Sequence, residues 1–240
     1  MSSILVTGGT GTLGRPTVTR LRALDDQVRV LSRDPGPDHV VADLTSGEGL
    51  AAVEGSDVIV HLATSEGRDD VQQTRNLLAA APGVKHLVVM SIAGIDRIPM
   101  PYYRYKLEAE RLVAESGVPY TILRATQFHN LIDRVLSAQR FLPAVLAPAI
   151  SLQPIAVEDV AVRLAELVAG PPVNARAADI GGPERLPVVE LARRWKQARA
   201  VHRPVVPLRL AGKAFRAFAA GAAMVDGPAY GHITFAEYLR

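Results

Sequence analysis

By residue 14 the chain has already narrowed what it can fold into. Ile4-Leu5-Val6 is an apolar run of the kind a strand shows when both faces of its sheet are covered. Thr7-Gly8-Gly9-Thr10-Gly11-Thr12-Leu13-Gly14 follows it at once. Gly9, Gly11 and Gly14 satisfy G-x-G-x-x-G, and Gly8, Gly11 and Gly14 satisfy G-x-x-G-x-x-G. The first glycine permits a tight turn out of the strand, Gly11 admits a pyrophosphate to the backbone with no Cβ in the way, and Gly14 lets the next helix pack on the sheet. That helix, with Val18, Leu21 and Leu24 at helical spacing, presents free N–H groups and a positive dipole end to the anion. The loop therefore predicts a bound dinucleotide.

Strand-like and helix-like segments alternate through the first half, the pattern of a parallel sheet with helices on both faces. Strands are expected at 3–7, 27–31, 39–42, 57–62, 85–90 and 120–124. Helices are expected from the capping box Thr45-x-x-Glu48, over 68–81, and from Pro101 to Ser116 with Gly117 and Pro119 closing the last. After Ala125 the alternation loosens and prolines gather. Helices are expected there near 127–140, 158–169, 187–199 and 209–222, with extended pieces near 151–155, 177–181 and 204–208. The fold class is thus α/β, a Rossmann-type doubly wound parallel sheet. Residues 1–125 would form the NAD(P)-binding core, and 126–240 a small C-terminal substrate-binding portion interleaved with it in one compact unit.

A chain of 240 residues, 48% hydrophobic and 21% charged, is ample for a sizeable core. It has no cysteine, which excludes disulfides, zinc–thiolate sites, iron–sulfur clusters and thiol nucleophiles together. A strand beginning by residue 4 leaves no room for a charged segment and an apolar segment ahead of it, and no run of about 18 apolar residues occurs. Cytoplasmic residence with no membrane partner is the expectation. The net charge of +3 is unevenly placed, because Leu191 to Val225 holds eight Lys and Arg and no acid. With no interleaved aromatics or nucleic-acid motif, that run reads as solvated helix faces, and no nucleic-acid partner is expected.

The end of the second strand is where a dinucleotide site tells a ribose 2′-hydroxyl from a 2′-phosphate. Val30-Leu31-Ser32-Arg33 puts no carboxylate at that end, and Arg33 offers a forked donor matched to phosphate. NADP(H) is the predicted cofactor, with NAD(H) left open by Asp34 next door. Asp43-Leu44, after the third strand, is placed to meet an adenine edge with a carboxylate and its face with an aliphatic chain.

These segments resemble the short-chain dehydrogenase/reductase superfamily, and within it the atypical NmrA-like NAD(P)-binding proteins. The resemblance rests on Thr7 to Gly14, on Ser32-Arg33, on Asp57-Val58-Ile59-Val60-His61-Leu62-Ala63-Thr64 and on Ser91-Ile92-Ala93-Gly94. It continues through Tyr102-Tyr103-Arg104-Tyr105-Lys106-Leu107-Glu108-Ala109-Glu110, Thr121-Ile122-Leu123-Arg124 with Gln127-Phe128, and Glu158-Asp159-Val160-Ala161. It implies that Leu62, Ala63 and Thr64 line the central ribose and pyrophosphate, and that Ser91, Tyr102 and Lys106 correspond to the catalytic serine, tyrosine and lysine. In that arrangement Lys106 lowers the Tyr102 pKa and holds the nicotinamide ribose, while Tyr102 gives a proton to the substrate carbonyl. Tyr102 and Lys106, four apart on a helix, share a face. Tyr102 as a wall beside the nicotinamide is the other reading.

Gln127, Phe128 and His129 follow the sixth strand and are candidates to face the substrate, Phe128 as a platform for a flat acceptor such as a quinone. His129 has no carboxylate or metal partner in sequence, so no metal site is expected. The predicted activity is NADPH-dependent hydride transfer to a small carbonyl or quinone compound. A redox-sensing regulator that binds NADP(H) without turnover, and a cofactor-retaining isomerase or dehydratase, stand as alternatives.

Overall fold

A computed structural model of the chain describes residues 2–24 and 27–240. Its strands are β1 (Ser3–Thr7), β2 (Gln27–Ser32), β3 (His39–Val41), β4 (Val58–His61), β5 (His86–Ile92), β6 (Tyr120–Ala125), β7 (Val145–Pro148), β8 (Ser151–Leu152), β9 (Ala175–Arg176), β10 (Leu186–Pro187) and β11 (Val205–Leu208). Its helices are α1 (Gly14–Arg22), α2 (Asp69–Ala79), α3 (Pro101–Glu115), α4 (His129–Ser137), α5 (Val157–Ala169), α6 (Val188–Ala198), α7 (Lys213–Ala219) and α8 (Phe235–Tyr238). Seven strands form one parallel sheet in the order β3-β2-β1-β4-β5-β6-β9. The order reverses beside β1, at the switch point where doubly wound sheets bind ligands at their strands' carboxyl ends. No helix among the described residues is long and apolar enough to cross a membrane.

The chain forms two compact units. The first comprises residues 1–91, 101–124 and 160–178, so α5 and β9 return to the sheet after an excursion. One core cluster joins Leu5, Ile59, Leu87, Val89 and Ile122 of the strands to Leu77 of α2 and Val113 of α3. The intervening residues Ile4, Val6, Val58, Val60 and Val88 are buried as well, as strands covered on both faces require. Burying each such side chain contributes about 1.5–3 kcal/mol, so the sheet is a rigid platform for the loops at its ends. The helix α3 is pinned to β6 by the buried pair Glu110–Arg124, bonded twice at 2.8 and 2.6 Å. Removing one partner of such a pair costs about 3–5 kcal/mol, so the third turn of α3, which carries Glu110, is firmly held on β6.

The second unit comprises residues 92–100, 125–159 and 179–240. There β7 pairs with β11 in parallel and β8 with β10 antiparallel, and α6 packs on β7, β10 and β11. Asp133 of α4 gathers the Trp195 indole at 2.7 Å, the Arg199 guanidinium at 2.7 Å and the Tyr238 hydroxyl at 3.2 Å.

Some expectations fail for local reasons. The box Thr45-x-x-Glu48 opens no helix: the Asp43 carboxylate accepts the Thr45 amide at 2.7 Å, and Gly47 and Gly49 take left-handed φ of 85° and 75°. Only a 3-10 turn over Leu50–Val53 follows. Leu24 lies beyond the end of α1 and is 49% exposed, so the buried stripe of that helix is Val18 and Leu21. The extended piece expected at 177–181 falls earlier, at β9, with Ile180 making a lone bridge to Ala125. The strand β7 and the helix α8 lie in segments too short for periodicity to reveal.

Candidate functional site

Three of the four loop glycines are held by packing and one is not. Gly8 has φ +69°, and a Cβ there would lie 2.7 Å from the Ala63 amide nitrogen, so the loop rests against the end of β4. At Gly9 a Cβ would fall 2.7 Å from Val30 Cγ1, and at Gly14 only 2.1 Å from the Gly8 carbonyl oxygen. The pressure at Gly14 thus comes from the loop's own backbone rather than from the sheet. Gly11 is exposed, and a Cβ there would meet one atom, the Gly8 carbonyl oxygen, at 3.2 Å. Thr10 and Thr12 beside it are exposed, Leu13 is buried, and no side chain caps α1. An open glycine next to an uncapped helix start is what a pyrophosphate cradle requires.

Thr7, fully buried, ties this loop to the end of β4. Its hydroxyl oxygen accepts the Leu62 and Ala63 amides at 3.2 Å each, so its own proton goes to His61 Nδ1 at 2.7 Å. His61 Nε2–H then faces the Thr74 hydroxyl at 3.4 Å, and that hydroxyl donates to the Asp70 carbonyl. Burial, with the Lys106 charge, pushes the His61 pKa down to about 3, so the ring is neutral and serves the scaffold.

Burial also holds His86 and His129 below the ordinary histidine value of 6.5. The unfolded chain gains protons as pH falls through 6.5 and the fold resists them. Stability is therefore complete above that value and is lost on acidification. A Tm that falls steadily from about pH 7 to about pH 4 is expected, and a flat or rising Tm over that range would contradict the burial of neutral imidazoles.

At the end of β2, Ser32 is half-buried, its hydroxyl accepting the Asp34 amide at 3.1 Å, and Arg33 is exposed. Among the described residues Arg33 enters no ion pair, whereas the acid beside it, Asp34, supplies its carbonyl to His39. Asp43 uses one carboxylate oxygen on the Thr45 and Ser46 amides. Leu44 is 5% exposed and sits in the core cluster, so its side chain is not available as an adenine cover.

The first turn of α3 and the end of β4 meet around a carboxylate that the sequence reading missed. Thr64 bonds the Tyr102 hydroxyl at 3.1 Å, and Lys106 Nζ lies 3.1 Å from Asp70 Oδ2. Phenol and ammonium thus converge through different acceptors, the Thr64 hydroxyl and the Asp70 carboxylate. The expected lowering of the Tyr102 pKa by Lys106 is not found: burial, with the negative charges of Asp70 and Glu66, pushes it up to about 12. Asp70 belongs to the buried face of α2 together with Val71, Thr74 and Leu77. An acid on the apolar stripe of a helix was the available signal, and Asp69 beside it concealed which of the two faced inward. Ser91, near the end of β5, is 3% exposed, and its hydroxyl has no partner among the described residues.

The three substrate candidates lie in the second unit. Both side-chain polar atoms of Gln127 are buried without a partner among the described residues, and Phe128 is half-buried and bridges to Ile155. His129 is a correction: it is 1% exposed, donates Nε2–H to the Ile233 carbonyl at 3.0 Å, and lies 5.5 Å from the rings of both Phe235 and Tyr238. It belongs to an aromatic core. In the basic run, Arg194 pairs with Glu184 and Glu190, Arg199 with Asp133, and Arg203 donates to the Leu142 carbonyl, so much of its charge is bound within the unit.

Comparison with known proteins agrees with this geometry. The profile of the family described as NAD(P)H-binding matches residues 8–171, more than half of the chain. The chain is 35% identical over 136 residues to (4-alkanoyl-5-oxo-2,5-dihydrofuran-3-yl)methyl phosphate reductase of Streptomyces griseus, covering 52% of this chain and 48% of that protein. It is 28% identical over 135 residues to quinone oxidoreductase 2 of Escherichia coli, covering 50% and 47%. The matches thus span about half the length of these curated relatives. The structure of the Escherichia coli NADPH-dependent quinone oxidoreductase complexed with NADPH superposes with a TM-score of 0.82 at 21% identity, covering 98% of each chain. Loop, sheet order and profile agree: the chain belongs to the NAD(P)H-binding family.

Proposed function

We propose that this protein is an NADPH-dependent oxidoreductase that reduces a small carbonyl or quinone compound. The observation that carries the reading is the pairing of Tyr102 with Thr64 and Lys106 with Asp70 beside the strand end against which Gly8 rests. When bound, the reduced nicotinamide supplies the hydride. Gly11 and the uncapped start of α1 receive the pyrophosphate, Leu62, Ala63 and Thr64 line the central ribose, and Lys106 reaches the nicotinamide ribose with protons not given to Asp70. Tyr102 donates a proton to the substrate oxygen, and its raised pKa keeps that proton in place through neutral pH. Ser91, whose buried hydroxyl has no partner among the described residues, is proposed to bond the substrate's polar group. The names of the Streptomyces griseus and Escherichia coli relatives support a reductase of this class.

Arg33, exposed and in no ion pair among the described residues, supports NADP(H) over NAD(H), since a guanidinium fork matches a 2′-phosphate. Arg33→Ala is expected to weaken NADPH binding by about ten- to a hundredfold while NADH binding changes little, because a charge-assisted contact contributes about 1.5–3 kcal/mol. Equilibrium titration with both cofactors checks this. Parallel losses would remove Arg33 from the 2′-phosphate.

A redox-sensing regulator is the second reading, favoured by the hold that Asp70 keeps on Lys106. It requires a partner protein whose affinity differs between the NADP- and NADPH-bound forms. Turnover of NADPH with a quinone or carbonyl compound supports the enzyme, and tight NADPH binding without turnover supports the regulator.

A further inference from the structure

Asp70 is 2% exposed and accepts four hydrogen bonds. Its Oδ1 takes the Ser65 amide at 2.6 Å and the Ser65 hydroxyl at 2.8 Å, and its Oδ2 takes the Thr64 hydroxyl at 2.7 Å and the Lys106 ammonium at 3.1 Å. Burial pushes its pKa up, but the Lys106 charge and the Thr64 and Ser65 hydrogen bonds outweigh burial and hold it below the usual carboxylate range. The carboxylate is therefore ionised, and it has no proton to give.

That fixes the direction of the next bond. Thr64 has a single hydroxyl proton, which goes to Asp70. Its oxygen accepts the Glu66 amide at 3.1 Å, and at the 3.1 Å contact with Tyr102 it can only accept again. The phenol must be the donor. The hydrogen-bond order runs Tyr102 O–H to Thr64 O–H to Asp70, with Lys106 neutralising the far end.

We propose that Asp70 is a positioning residue for proton transfer at Tyr102, acting through Thr64: its charge turns the Thr64 proton inward and so keeps the phenol protonated at rest. The proposal rests on the reading of Tyr102 as the proton donor. When Tyr102 acts, its O–H bond breaks and an O–H bond forms on the substrate oxygen, leaving a phenolate 3.1 Å from Thr64. Thr64 then turns the same proton from Asp70 to the phenolate. Asp70 remains balanced by Lys106 and by Ser65, and water returns a proton to Tyr102. The charged and titratable groups around the phenol are Asp70 and Glu66 on the β4–α2 side and Tyr103 on α3; all three raise its pKa, so none substitutes for the toggle at Thr64.

The test begins on cofactor-free protein, where turnover plays no part. Ultraviolet titration of tyrosinate, with the Tyr102→Phe variant subtracted, isolates the Tyr102 phenol. Its midpoint is expected to fall by about one pH unit or more in Asp70→Asn, which removes the charge and leaves the shape, and to stay near the parent value in Asp70→Glu. An unchanged midpoint in folded Asp70→Asn would overturn the proposal. If Asp70→Asn does not fold, the toggle is tested at Thr64. Thr64→Val is expected to lower kcat at saturating NADPH about tenfold, the loss of one hydrogen bond that strengthens in the transition state, and Thr64→Ser to restore it. Parent-like kcat in Thr64→Val alongside an impaired Tyr102→Phe would overturn the proposal while sparing the proton-donor reading. Parent-like kcat in Tyr102→Phe itself would overturn that reading instead.

Discussion

Tyr102→Phe is expected to lower kcat by about a hundred- to ten-thousandfold, the usual worth of a positioned proton donor, while the NADPH Kd stays within about twofold. The substitution is unusually clean here. The ring is half-buried and lies tilted against Tyr103, with centroids 6.1 Å apart, and the change leaves that packing in place. Among the described residues the phenol oxygen bonds to Thr64 alone, and Thr64 still donates to Asp70 after the hydroxyl is gone. Lys106 keeps its contact with Asp70, so the proposed ribose contact survives. A stability cost of about 1 kcal/mol follows from the lost hydrogen bond, too small to account for a large rate loss. Steady-state rates with fluorescence titration of NADPH separate the two parameters. An unchanged kcat would leave Tyr102 as a wall of the pocket.

The second large effect separates two glycines that a motif treats alike. Gly14→Ala is expected to abolish measurable NADPH binding and to lower Tm by several degrees. Its Cβ would fall 2.1 Å from the Gly8 carbonyl oxygen and 2.6 Å from Gly9 backbone carbon, none of which is a movable side-chain end. Relieving that overlap costs about 1–3 kcal/mol and displaces the loop. Gly11→Ala is expected to leave Tm within about one degree, because its Cβ meets only one atom at 3.2 Å, and yet to weaken NADPH by about a hundredfold by standing where the pyrophosphate approaches. Melting curves and cofactor titrations on the two variants check both. Equal losses of Tm would contradict the division, as would undiminished NADPH binding in Gly11→Ala.

The contrast shows what the sequence made legible. The strands from β1 to β6 are short apolar runs bounded by turn residues, and their positions are readable because a sheet covered on both faces leaves no ambiguity of face. The glycine loop is readable for the same kind of reason, since only a backbone pressed against backbone demands glycine at Gly8 and Gly14. Thr45 and Glu48 misled because a capping box is a local signal, and the neighbouring Asp43 carboxylate with Gly47 and Gly49 competes for the same amides. Asp70 was illegible because its role depends on α2 and α3 packing side by side, a contact 36 residues apart in the chain. His129 misled in the opposite direction. Its neighbours Phe235 and Tyr238 come from the far end of the chain, so nothing near it in sequence announced an aromatic core.

The dinucleotide site is proposed to belong to a working reductase rather than to a cofactor-loaded sensor. The measurement that tests it most directly is the absorbance of reduced nicotinamide over time, with purified protein, NADPH and a panel of quinones, aldehydes and ketones. At least one acceptor is predicted to cause sustained NADPH oxidation, faster than with NADH, that Tyr102→Phe suppresses. Tight NADPH binding with no acceptor-dependent oxidation anywhere in the panel would contradict it.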